Sequence, residues 1–157
     1  MTRHYGRAPA GERVREATPQ SHWHTLTMLA ALTIKGTQAP MTIEAATDGD
    51  IFLACVEQVL CPTLSLGQVV IMDNLSAHKV QGIREKIEAT GARLIYLPPY
   101  SPDFNPIEQA WSKIKQRLRS AKARTLEALE QAIAEALAAI TPENASAWFS
   151  HCGYGLH

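Results

Sequence analysis

Two carboxylates define the chemistry open to this chain. Asp73 closes the apolar run Val69-Val70-Ile71-Met72, and Glu108 follows the stretch Tyr96-Leu97-Pro98-Pro99-Tyr100-Ser101-Pro102-Asp103-Phe104-Asn105-Pro106-Ile107. Carboxylate oxygens brought to one place are hard donors suited to Mg2+ or Mn2+. A pair of such ions about 3.5–4 Å apart can activate an attacking oxygen and stabilise a leaving one. Each acid alone has an ordinary explanation as well. An aspartate after a strand caps a turn, and a glutamate at a helix start answers the positive end of the helix.

The surroundings of Glu108 favour the functional reading. Ile107, Trp111, Ile114 and Leu118 recur at helical spacing and predict the buried stripe of a helix from about Asn105 to Ala121. Glu108 lies about 100° off that stripe, at the head of a row that continues through Ser112, Lys115 and Arg119. Lys113, Lys115, Arg117, Arg119, Lys122 and Arg124 fall within twelve residues that contain no acid. Such a run is ordinarily a solvated face, but beside a metal site it suits a phosphate backbone. Lys113, Lys115, Arg119, Lys122 and Arg124 are therefore candidate DNA contacts. His78, five residues after Asp73, is another candidate for touching phosphate, or else caps the next helix. His22 and His24 alternate around Trp23 as strand residues do, which points to a structural or solvent-facing role.

Pro98, Pro99, Pro102 and Pro106 restrict the segment ahead of Glu108 and lower the conformational freedom lost when it is positioned. Asn105 as cap and Pro106 at the first helical position set the helix start. The elements that must hold the acids follow from periodicity. His24 to Ile34 and Met41 to Ala46 read as an antiparallel hairpin around Lys35-Gly36. Thr47 or Asp48 caps a helix with Phe52, Cys55, Val56, Val59 and Leu60 at helical spacing, ended by Pro62. Val69–Met72 is a buried strand. Val80, Ile83 and Ile87 mark a helix ending at Gly91, and Leu94 to Leu97 a second strand, so the unit predicts a parallel crossover. A helix from Thr125 carries Leu126, Leu129, Ile133, Leu137 and Ile140 on one face, and Thr141-Pro142 starts a last helix in which Trp148 and Phe149 pack. In such α/β units ligands collect outside the carboxyl ends of the strands, where Asp73 sits.

Composition bounds the rest. The chain has 157 residues, 46% of them hydrophobic, enough for one domain with a core. Its apolar stretches are far shorter than the roughly 20 residues needed to span a bilayer, so the reading is a soluble, cytoplasmic protein without a membrane partner. Fifteen basic residues balance fifteen acidic ones, which argues against coating nucleic acid through bulk charge. Cys55, Cys61 and Cys152 are odd in number and lack zinc spacing, so they read as reduced thiols. Thr2 to Ala17, with Arg3, Arg7, Arg13 and Arg15, reads as a basic loop.

Val70-Ile71-Met72-Asp73-Asn74 with Ser76-Ala77-His78, followed by Leu97-Pro98-Pro99-Tyr100-Ser101-Pro102-Asp103-Phe104-Asn105-Pro106-Ile107-Glu108, resembles the catalytic domain of DDE transposases, and more narrowly the bacterial insertion-sequence branch of the Tc/mariner superfamily. The resemblance implies an α/β, RNase H-like mixed sheet flanked by helices and a triad of carboxylates. The family's second acid maps onto Asp73 and its third onto Glu108, with 34 residues between them as is typical of the family. It further implies cut-and-paste DNA transposition by metal-dependent phosphodiester cleavage and strand transfer, with two Mg2+ (or Mn2+) ions in the complete site. Transposon ends and target DNA are the expected partners, with a homodimer or full-length transposase as protein partner and a nucleoid-associated location.

One departure accompanies the resemblance. The family's first aspartate belongs on a central strand just before the basic loop that begins here at Thr2, and Asp48, Asp50 and Asp103 are not convincing substitutes. The expected consequences are a chain inactive by itself, two unpaired strand edges, a thinner core, and an absent upstream helix-turn-helix region. A non-catalytic remnant that binds DNA or full-length transposase and regulates it is the alternative. Another RNase H-like nuclease, such as a resolvase, fits the fold but not the proline loop.

Overall fold

The computed structural model describes residues 7–13, 15 and 25–155; His22, Trp23 and His24 lie outside them, as does most of the basic loop. Of that loop, Pro9 to Glu12 forms an exposed turn closed by Glu12 N–H donating to Pro9 O at 3.0 Å.

The hairpin forms from β1 (Thr27–Thr33) and β2 (Gly36–Ile43), antiparallel as expected. Its second strand begins five residues earlier than the apolar run suggested, because Pro40 is accommodated by a register shift between Leu29 and Ala31 rather than excluded from the strand. A bulge absorbs a residue that cannot donate to the ladder, and Ala39, at φ 51°, takes up the local twist. Gly36, at φ 118°, opens β2 where any Cβ would lie 2.8 Å from Ile140 O. This close approach lets the hairpin turn pack against the end of the fourth helix.

Asp48, rather than Thr47, caps α1 (Gly49–Cys55) by accepting from Ile51 N–H at 2.9 Å. The helix then widens into a π turn, Val56–Leu60, and tightens into a 3-10 turn, Cys61–Thr63, that contains Pro62. β3 (Val69–Met72) and β4 (Arg93–Tyr96) are parallel neighbours, in register from Val69 opposite Arg93 to Met72 opposite Tyr96, with α2 (Ile83–Ala89) between them in sequence. Gly91, at φ 83°, ends that helix where a Cβ would meet Leu66 Cδ1 at 2.6 Å.

Three helices complete the chain: α3 (Ile107–Ala121), α4 (Leu126–Ala138) and α5 (Pro142–His151). Thr125 caps α4, and Thr141 with Asn144 forms a reciprocal capping box on α5. Trp148 packs into the core formed with α3 and α4, while Phe149 meets Tyr154 edge-on at 5.7 Å. The buried stripes are displaced from the expected ones toward alanine. Ala110 is buried on α3 with Ile114 and Leu118, whereas Ile107 and Trp111 are half-buried. On α4, Ala132 and Ala136 are buried beside Ile133, while Leu126 is 45% exposed. Small side chains shorten the distance between packed helices.

Among the described residues the strands form two separate two-stranded sheets, β1-β2 and β3-β4. The core divides in the same way. Val56, Met72, Ile83, Ile87, Ala92 and Leu94 form one buried cluster, and Ile114, Leu118, Ala132, Ile133, Ala136 and Ile140 the other. Cys55 and Cys152 are buried and Cys61 half-buried, all as free thiols, and burial pushes the Cys55 thiol upward.

Candidate active site

Asp73 emerges from the carboxyl end of β3, the position at which parallel strands deliver side chains to a crevice. Its Oδ1 accepts from Leu75 N–H at 3.1 Å, which fixes the turn leaving the strand. His78 Nδ1 approaches the same oxygen at 2.6 Å, an ion-pair distance without the alignment of a hydrogen bond. The imidazole is held from its other side by Phe52, whose ring centroid lies 4.2 Å away at an interplanar angle of 30°. His78 therefore steadies Asp73 rather than standing out in solvent: its side chain is only 20% exposed.

A second tether comes from the neighbouring strand. Tyr96, the last residue of β4, donates its hydroxyl to His78 O at 2.7 Å, and Leu97 N–H donates to Met72 O at 2.8 Å. The chain leaving β4 is thus stitched to the chain leaving β3. Burial raises the Tyr96 phenol above its ordinary value of 10.0, with Arg84 opposing and Glu85 adding to the shift. Arg84 lies 5.5 Å from the centre of the Tyr96 ring and donates to Leu94 O at 3.2 Å. Neither Phe52 nor Tyr96 was legible as a site residue. The available signal was the position of Tyr96, one strand over from the residue preceding Asp73.

From β4 the proline loop passes through a 3-10 turn, Pro102–Phe104, to α3. Asn105 is extended and Pro106 already helical, so helical geometry begins at the proline as expected, although no side chain caps the helix. Glu108 occupies the first turn of α3 and is exposed, as are Ser112, Lys115 and Arg119 below it. The acid and the row behind it thus face solvent on one flank of the helix, off its buried stripe.

Two carboxylates so placed are hard donors of the kind that Mg2+ or Mn2+ takes. Asn74, next to Asp73, adds a buried side-chain oxygen with no hydrogen-bond partner. In kind the residues fit a divalent cation; in number they are a partial set. Among the described residues no three acids, histidines or cysteines converge as a metal-holding group. Asp48 is committed to its helix cap, Asp50 lies in the first turn of α1, and Asp103 sits in the 3-10 turn of the proline loop.

Residues 1–130 match the family described as DDE superfamily endonuclease. The chain belongs to that family. Two solved structures share the fold of this DDE domain. The crystal structure of the Mos1 strand transfer complex matches with a TM-score of 0.69 at 13% identity, over 97% of this chain and 46% of that one. The crystal structure of the Mos1 mariner paired end complex with Mn matches with a TM-score of 0.61 at 13% identity, over 97% and 47%. The chain spans just under half the length of each. The shared fold is RNase H-like. A comparison of the sequence with curated proteins gives no match.

The cationic residues on and just after α3 fall into two settings. Lys113 is half-buried, and its ammonium donates to Ala139 O at 2.8 Å and to Asn144 Oδ1, so it ties α3 to the junction of α4 and α5. Lys115, Arg117, Arg119, Lys122 and Arg124 are exposed. Lys122 adopts the left-handed conformation that terminates α3, which turns the chain toward Arg124 and α4.

Proposed function

We propose that this DDE domain is the catalytic core of a transposase of the bacterial insertion-sequence branch, acting in cut-and-paste transposition by cleaving phosphodiester bonds and transferring the freed strand. The observation that carries the reading is the placement of Asp73 at the carboxyl end of β3 and Glu108 in the first turn of the helix that follows its parallel neighbour, β4. Asp73 and Glu108 would hold Mg2+ or Mn2+, with Asn74 Oδ1 as a further oxygen donor. When bound, two such ions activate the attacking oxygen and neutralise charge on the leaving one. His78 keeps the Asp73 carboxylate in one orientation. Lys115, Arg119, Lys122 and Arg124 bind the phosphate backbone of transposon ends and target, whereas Lys113 contributes through the helix junction it braces.

Among the described residues no third acid gathers with Asp73 or Glu108 into a metal-holding group, and the site of this chain by itself is read as too incomplete to cleave DNA. In the complete transposase, Asp73→Ala and Glu108→Ala each abolish excision of the element. Intact excision in either variant would refute the site. Measurable Mg2+-dependent cleavage of element-end DNA by the chain alone would refute its inactivity. Because β1 pairs only with β2 and β3 only with β4 among the described residues, a second reading has the chain regulate by pairing with full-length transposase. Co-expression would then lower transposition by the full-length protein, and an unchanged frequency would exclude it. The proposed location is the nucleoid-associated cytoplasm.

A further inference from the structure

Tyr100 is the most exposed large hydrophobic residue among those described, at 102% of its reference area, and its backbone lies at φ 55°. A bulky side chain in the left-handed region is uncommon and costs free energy, which the surrounding structure must offset. Here the offset is not packing, because the ring touches solvent on all sides. The prolines around it, Pro98, Pro99 and Pro102, leave the backbone little choice, and Ser101 Oγ donates to Pro99 O at 3.3 Å across the bend. Phe104, four residues on, is 52% exposed, and its carbonyl is pinned by Tyr154 Oη at 2.7 Å. Leu75, on the turn that Asp73 organises, is 58% exposed. These residues leave the same end of the β3-β4 sheet, since Met72 and Tyr96 are in register and Leu97 bonds back to Met72.

We propose that Tyr100, with Phe104 as a second exposed ring of the same loop, is a stacking platform for an unpaired nucleobase at the reacting DNA end. The inference deepens the transposase reading and rests on it. A base that leaves the duplex stack at a strand end held near Asp73 and Glu108 needs an apolar face to replace the stacking it loses. An aromatic ring presented by a rigid loop supplies that face at little entropic cost, and it tolerates any base because every base has a π face. The exposed cations Lys115 and Arg119, in the row headed by Glu108, complement the phosphates of the same strand.

The test compares a blunt duplex with the same duplex carrying a short unpaired tail that contains 2-aminopurine, each titrated with the chain. Affinity is read by anisotropy and stacking by quenching of the 2-aminopurine. The wild type is expected to prefer the tailed duplex and to quench the probe. Tyr100→Ala should lose about 5- to 100-fold in affinity for the tailed duplex alone, the range that base–aromatic stacking spans, and should lose the quenching; Phe104→Ala should lose less, and Tyr100→Trp should retain both. Tyr100→Asn, which keeps a residue at ease in the left-handed region, should behave like the alanine variant, so that loss of the ring is separated from a change in loop shape. Equal loss on both duplexes, no loss on either, rescue by Tyr100→Asn, or a Tyr100-dependent dimer with unchanged quenching would overturn the proposal. If the wild type binds neither duplex, the transposase reading fails as well, which distinguishes the two failures.

Discussion

The half of the molecule that holds Asp73 and the half that holds Glu108 are built differently. The first is nearly continuous in sequence, from α1 through β4. Its core is aliphatic, and Ile83 and Ile87 are 0% exposed. The second joins the early hairpin to α3, α4 and α5, and its core depends on alanines that let helices approach one another. Links between them among the described residues include the packing of β2 against the π turn, Gln38 Nε2 donating to Thr63 O at 3.1 Å, and the proline loop that carries the chain from β4 to α3. The two acids thus stand on elements packed into separate clusters, and their mutual placement rests on that loop together with the packing of β2 against the π turn. A stiff loop is then a requirement of the site rather than an ornament of the connection.

The largest test of this division is cavity formation in each core. Ile83→Ala and Ile114→Ala should each cost about 2–5 kcal/mol. If the halves open separately, hydrogen exchange should accelerate in α2 and β4 for the first variant and in α3 and α4 for the second. Uniform acceleration in both variants would show one cooperative unit.

Lys113→Met comes next. It leaves Ala139 O without its side-chain donor and Asn144 Oδ1 with only Thr141 N–H, and should cost about 1–3 kcal/mol, measured by urea denaturation, with the loss confined to the α3–α5 half. A smaller effect follows from Tyr96. Its folded pKa is raised above the ordinary 10.0, so its contribution to stability is fully present below pH 10 and is lost as pH rises through the folded value. Tyr96→Phe should remove that alkaline dependence and lose the bond to His78 O, at about 0.5–1.5 kcal/mol. An unchanged pH profile would show that the phenol is not the group responsible.

Smallest is Glu108→Gln, which at an exposed site away from the core should change stability by no more than about 0.5 kcal/mol. Asp73→Asn should cost more than Glu108→Gln, because Oδ1 of Asp73 is engaged by Leu75 and His78. Equal costs would weaken the contrast between the tethered acid and the free-standing one.

Local pattern was enough for much of the Asp73 half. The strand ending before Asp73, the helix carrying Ile83 and Ile87, and the strand after Gly91 appear where periodicity put them, because each is decided by residues within a few positions of one another. Burial and bounds differ in detail: only Met72 of β3 is buried, Val69 is 50% exposed, and Val80 stays outside the helix. The helix starts at Pro106 and at Thr141-Pro142 were legible for the same reason. Contacts far apart in sequence were not. The bulge that admits Pro40, the burial of Ala132 and Ala136 in place of Leu126, the commitment of Lys113 to the α4–α5 junction, and the clasp of Phe52, His78 and Tyr96 around Asp73 all depend on what the fold brings alongside. The sequence by itself determined which residues carry charge and where chain geometry must turn; tertiary structure decided which of those charges are tethered and which face solvent, because burial and pairing are properties of neighbours that no local window contains.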